Sequence, residues 1–175
     1  MRPLLLALTG PLLLALTGPL LLALTAAVLT PASAAAMPPA AAGGGNLWAT
    51  VDVCDTPRHP REIGIRASMP GFPRGTARRM RFRVQWRDGD RWRYADGADS
   101  GWRRLSRSRG RPVESGWSFE FAPPSAPITF RGVVRFRWRR DGVVVRHAMR
   151  ITRNGHPSTV GADPEGYSAA TCSMA

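Results

Sequence analysis

Arginine recurs at alternate positions in two stretches of this 175-residue chain, RRMRFRVQWR (78–87) and FRGVVRFRWRR (130–140). Extended backbone sends successive side chains to opposite faces. Arg79, Arg81, Arg83, Gln85 and Arg87 therefore point one way, and Met80, Phe82, Val84 and Trp86 the other. A guanidinium presents a planar fork of donors that binds phosphate and carboxylate in bidentate fashion, so a flat ladder of them suits a repeating polyanion. The formal net charge is +13 at pH 7, and none of the 25 basic residues is Lys. A chain free of Lys but rich in Ala, Gly, Pro and Arg has the composition of a GC-rich coding sequence. That bias explains Arg in place of Lys; it leaves the excess of base over acid open to function.

Other chemistries find less to work with. The histidines are His59, His147 and His156. His59 and His156 sit in loops with Pro and Gly, without a G-x-S-x-G frame to hold a nucleophile. No H-x-x-H or C-x-x-C spacing offers a metal site. Asp88, Asp90, Asp96 and Asp99 cluster in DGDRWRYADGADSG, but Gly-Asp pairs are ordinary turn chemistry, and Arg91 and Arg93 interrupt the carboxylates. No glycine-rich phosphate loop and no Asn-x-Ser/Thr acceptor is present. The expectation is a non-enzymatic chain with no catalytic residues, metal or cofactor.

The elements that must carry the arginines are strands. LWATVDV (47–53), EIGIRASM (62–69), 78–87, RWRYA (91–95), GWRRLS (101–106), GWSFEF (116–121), 130–140 and VVVRHAMRIT (143–152) alternate or carry strand-forming residues. DTPRHP, MPGFPRG, DGD, ADGADSG, APPSAP and DG punctuate them as turns. No helical stripe of useful length appears, which predicts an all-β fold.

Asp141-Gly142 reads as a two-residue hairpin turn, and counting outward from it predicts a register. Trp138 then faces Val145, Phe136 faces His147 and Val134 faces Met149 on an apolar side, where His147 has the surroundings of a core histidine. On the basic side Arg137 faces Arg146, Arg135 faces Ala148 and Val133 faces Arg150. A three-residue Asp88-Gly89-Asp90 loop places Trp92 opposite Trp86. The aromatics turn inward in this scheme, so nucleic acid, which binds through stacked bases, has no special claim.

A Trp on a mid-chain strand, a later W-x-F-x-F strand (Trp117 to Phe121), the corner APPSAP and then FRGVVRFRW together resemble strands C, E and F of a fibronectin-type-III or immunoglobulin-like sandwich. The likeness covers residues 47–153 and implies an antiparallel β-sandwich of about seven to eight strands. Phe130 stands where such domains commonly carry a Tyr, and the cysteines do not match the family's intersheet pair. The resemblance further implies that 78–87 lies beside 130–140. That would gather Arg79, Arg81, Arg83, Arg135, Arg137, Arg146 and Arg150 on one outer face with no acid among them. It carries no activity, because this architecture hosts many functions.

The first residues set the compartment. PLLLALTG (3–10) recurs at 11–18 and again as PLLLALTA at 19–26, after Met1-Arg2 and before Ala32-Ser33-Ala34 and Ala34-Ala35-Ala36. Small-x-small sites after an apolar run read as a secretory signal over 1–36, followed by a flexible Pro/Ala/Gly lead (37–45) and one domain over 46–175. The triplication exceeds what an export signal needs and reads as slippage in the coding DNA; an uncleaved anchor is the rival. Cys54 and Cys172, two thiols in an oxidising compartment, are expected to form one disulfide that staples the C-terminal tail.

The expected role is a secreted binding or surface-associated module. Its arginine face would meet wall polymers, acidic glycans or anionic lipid head groups, with membrane insertion only through an uncleaved leader. A spacer domain without ligand is the alternative, and a secreted hydrolase a further one. An ordered pocket joining His59 or His156 to a carboxylate and a hydroxyl would favour the hydrolase.

Overall fold

The computed structural model describes residues 47–72, 75–105, 110–157 and 160–175. The triplicated octapeptide, the cleavage-like sites and the 37–45 lead lie outside the described residues. Within them the protein is all-β and contains no helix. The strands are β1 (Trp48–Thr56), β2 (His59–Met69), β3 (Ala77–Asp88), β4 (Arg91–Asp99), β5 (Arg103–Arg104), β6 (Val113–Glu120), β7 (Ile128–Arg140), β8 (Val143–Ile151) and β9 (Cys172–Met174). One antiparallel sheet has the order β1-β2-β6. The other has the order β4-β3-β7-β8, with β5 pairing on β3 and β9 on β7. Each strand expected from periodicity is present, and β9 is an addition.

Alternation builds the core. Along β3, Met80, Phe82 and Val84 are fully buried while Arg79, Arg81 and Arg83 are half-buried. Ile63 and Ile65 of β2 join Phe82, Val134, Phe136 and Trp138 in one apolar cluster fed by both sheets. Each such side chain contributes roughly 1.5–3 kcal/mol on burial. Contact is close at Gly132, where a Cβ would stand 2.8 Å from Ile65 of the facing sheet and 2.6 Å from Thr152. Glycine there lets the two sheets approach. Arg78 is buried as well and donates from Nη1 to the Arg111 carbonyl at 2.8 Å.

Two registers differ from expectation. Asp141 and Gly142 both have positive φ (48° and 81°), the two-residue hairpin turn the sequence predicts. Arg140 pairs with Val143 and Arg139 with Val144, but then Trp138 pairs with Arg146, leaving Val145 as an extra residue. This bulge flips the rest of β8. Arg137 faces His147 rather than Arg146, Arg135 faces Met149, and Arg150 pairs with Val134 on the core side. His147 is accordingly an exposed outer residue, not a core histidine. The bulge separates two like charges that a straight ladder would oppose, and it sets the Arg146 guanidinium 5.0 Å from the centre of the Trp138 ring. The β3–β4 turn is also shorter than expected. Asp88 pairs with Arg91 around a two-residue Gly89-Asp90 loop, so Trp92 faces Arg87 and Trp86 faces Arg93. Gly89 has φ 57°, and glycine in the first position of a two-residue loop is what this turn demands.

Cys54 and Cys172 are bonded, with a Cα–Cα distance of 5.4 Å. Because Cys54 lies on β1 and Cys172 on β9, the bridge joins the two sheets. It is thus an intersheet pair after all, made through a strand the sequence pattern did not reveal. The tail also covers the open edge of β1. Val51 and Ala169 exchange backbone hydrogen bonds of 2.9 and 3.0 Å, and the Asp163 amide donates to the Asp52 carbonyl at 2.9 Å. Covering an edge in this way removes a template for unwanted pairing.

Candidate functional site

Two ladders assemble the arginines. Across β3 and β7, Arg79 faces Arg137 and Arg81 faces Arg135. β5 adds Arg104 opposite Arg79, and β8 adds His147 opposite Arg137. The product is a basic row, Arg104–Arg79–Arg137–His147, running across β5, β3, β7 and β8 on the face away from the core. Arg79, Arg81, Arg83, Arg135 and Arg137 share this face, as expected. Arg146 and Arg150 do not, because the Val145 bulge turns them to the core side of β8. Arg146 there sits over Trp138, and Arg150 Nε donates to the Leu47 carbonyl at 3.4 Å.

An acid is interleaved after all. Asp99, at the end of β4, faces Arg83. Arg81 Nε donates to Asp99 Oδ1 at 2.7 Å, and Arg83 Nε stands 3.3 Å from Oδ2. The hydrogen bond from Arg81, above all, holds the Asp99 carboxyl below its usual range. This carboxylate neutralises one side of the face. The other side lacks such a partner: among the described residues, Arg79, Arg104, Arg135 and Arg137 join no ion pair. Arg79 Nε is buried without any hydrogen-bond acceptor.

Aromatics share this face too, contrary to the inward orientation expected of them. The Arg131 guanidinium lies 4.1 Å over Trp92, Arg83 lies 3.5 Å over Tyr94, and Arg137 lies 4.1 Å over Trp102. Gln85 Oε1 accepts from Arg131 Nε at 2.9 Å. Stacking of this kind contributes roughly 0.5–1 kcal/mol per exposed pair, and it restricts the guanidinium rotamers. Arg104, Arg131, Trp92, Tyr94, Trp102 and Asp99 were absent from the expected site. A readable signal for Trp92 and Tyr94 was the Gly-Asp dipeptide, a two-residue loop that sets them opposite Arg87 and Gln85.

A separate cleft of about 540 Å³ includes Asp52, His59, Glu62, Arg66 and Ser118 in its lining. His59 Nδ1 is 3.2 Å from Glu62 Oε2, and the His59 amide donates to Thr56 Oγ1. Arg66 Nε donates to Asp52 Oδ2 at 3.0 Å. Burial nevertheless raises the Asp52 carboxyl above its usual range, outweighing Arg66. Asp163 is held low, chiefly by the Thr56 hydroxyl and then by Arg58. The cleft thus brings a histidine and carboxylates together, but among the described residues no hydroxyl bonds the His59 ring. His156 stacks on Trp48 at 4.4 Å between centroids.

No protein-family profile matches the chain, and neither a curated protein nor a solved structure shows significant similarity to it.

Proposed function

We propose that this chain is an exported, non-catalytic binding module of immunoglobulin-like, fibronectin-type-III-like architecture that holds polyanions on its arginine face. The division of antiparallel strands between β1-β2-β6 and β4-β3-β7-β8 supports the architectural reading, since such sandwiches split their strands in this manner. Export is supported by the apolar leader with its small-x-small sites, and by a disulfide that an oxidising compartment maintains.

The observation that carries the binding reading is the row Arg104–Arg79–Arg137 with Arg135 beside it, without carboxylate partners among the described residues. Bringing four guanidinium groups together without counter-charge costs stability. An array of phosphates, sulfates or carboxylates at the spacing of a polymer or a head-group layer would offset that repulsion. The test is binding of the purified protein to a soluble polyphosphate and to a sulfated glycan over a salt series. Binding that weakens steeply from low to physiological ionic strength supports the reading. Absence of binding at low salt returns the face to a solvated surface and leaves a spacer domain.

The His59–Glu62 cleft supplies part of a second reading, a hydrolase using that pair for acid–base work, without a hydroxyl nucleophile on the His59 ring among the described residues. Turnover of an ester or glycoside substrate that disappears in Glu62→Gln would establish it; inactivity across such substrates would dismiss it.

A further inference from the structure

The tip of the β7–β8 hairpin carries a feature that a binding face for soluble polymer does not need. Val143, Val144 and Val145 are consecutive and all exposed, at 66%, 40% and 47%. An alternating strand would turn one of the three inward. Here the bulge at Val145 interrupts the alternation and none of the three is buried. A run of three exposed apolar residues costs free energy in water and occurs where function requires it.

The charges around the tip are sorted. Arg139 and Arg140 precede it, and the row Arg104–Arg79–Arg137 crosses the sheet just behind it. At this end of the strands the described acids are Glu114 and Asp141, and neither joins an ion pair among the described residues. Every described ion pair involves an acid from mid-sheet, the opposite end or the tail, such as Asp99 with Arg81, Asp88 with Arg93 and Glu120 with Arg61. The domain is therefore polarised along its strands, with a cationic end capped by an apolar point.

We infer that this end docks on an anionic lipid bilayer, the valine tip entering the head-group–acyl boundary and the arginine row lying against the phosphates. The inference rests on the polyanion reading above and names the source of the anions. Apolar elements of this sort settle about 5–10 Å into the interface. Four residues of strand separate Arg137 from Asp141, a distance of about 13 Å. A row running across the strands at that distance lies parallel to the membrane and near the head-group layer when the strands stand upright. Neither half suffices alone: a row of exposed arginines is screened by salt, and three valines bury little area.

The experiment uses the protein as its native host produces it, with two sets of vesicles: phosphatidylcholine alone, and phosphatidylcholine mixed with phosphatidylglycerol. Neutral vesicles subtract any contribution from a retained apolar leader. The expected result is co-sedimentation that requires the anionic lipid, and a loss of at least about tenfold in V143S/V144S/V145S, whose affinity for soluble polyphosphate stays at the wild-type level. A single variant, Val144→Trp, gives an independent reading, because its emission after subtraction of the six native tryptophans' signal should shift to the blue on anionic vesicles alone. Wild-type vesicle affinity in the triple variant, or no blue shift in Val144→Trp, overturns the membrane inference. If polyphosphate binding persists in that case, the polyanion reading survives it. If the wild-type protein binds neither polyphosphate nor anionic vesicles, both fall together.

Discussion

Arg79 of β3 and Arg137 of β7 face each other directly, with Arg104 on the far side of Arg79. Like charges opposed on an antiparallel pair destabilise it by a few tenths of a kcal/mol up to about 1 kcal/mol. Relieving that repulsion should offset the loss of the Arg137–Trp102 stack. Replacing both by Gln is expected to leave the protein equally or slightly more stable in a denaturant titration. It should weaken polyphosphate binding about tenfold, as loss of two exposed ionic contacts would. Equal affinity of the double variant and wild type, measured at low salt, would show that this row holds no anion.

The Val145 bulge makes a sharper structural prediction. Deleting Val145 leaves Arg139 opposite Val144 and Trp138 opposite Arg146, the same partners in an unbroken ladder. The deletion is expected to change stability by less than about 1 kcal/mol and to keep Arg146 over the Trp138 ring. Were the ladder straight, the same deletion would turn Arg146 and the remainder of β8 to the opposite face, and the hairpin would lose its packing. A loss of several degrees in the thermal midpoint, with exposure of Trp138 fluorescence, would contradict the bulged register.

The contrast between β3 and β8 shows what could be read in advance. β3 alternates Arg with Met, Phe and Val without interruption, so its two faces follow from the pleat alone. β8, VVVRHAMRI, has apolar residues on both parities, and a single extra residue decides which set meets the core. Alternation cannot reveal a bulge. It arises from the partner strand, where Trp138 accepts Arg146 and Arg137 is kept apart from it. Asp99 was legible as a turn carboxylate, but its place on the arginine face was not, for a different reason. It lies in a sequence of turn residues, ADGADSG, yet β4 runs through Asp99 and the Gly101 amide anchors its carboxylate at 2.9 Å. Trp102 owed its place to β5, a two-residue strand too short for any periodicity. Cys54 and Cys172 were legible as a pair because no other cysteines compete; the sheet to which Cys172 belongs was not.

That pairing leads to a prediction on stability. The disulfide spans a sequence separation of 118 residues, for which chain entropy gives roughly 5 kcal/mol. It also tethers the tail segment that hydrogen-bonds to the edge of β1 through Ala169. Reduction, or Cys54→Ala with Cys172→Ala, is expected to lower the denaturant midpoint by a large part of the total stability. Amide exchange at Val51 and Ala169 should accelerate before that of Phe82 and Val134. Unchanged exchange at Val51 would mean that the backbone bonds hold the tail without the bridge.

His156 supplies a pH dependence whose sign can be worked out. Its ring stacks on Trp48, and burial, partly opposed by Glu114, holds the imidazole below its ordinary value of 6.5. A group depressed in the folded state contributes stability that is fully present above its unfolded value. That contribution is lost as pH falls through the lower folded value. Stability should therefore decline as the solution is acidified below 6.5, well before the carboxylates at Asp99 and Asp163 begin to protonate. His156→Phe keeps a ring against Trp48 and removes the titration. The variant should match wild type at neutral pH, where the imidazole is uncharged, and be the more stable of the two at low pH, so its unfolding free energy should vary less across the interval. A parallel decline in both proteins would assign the pH dependence to other groups and leave the Trp48–His156 stack a purely packing contact.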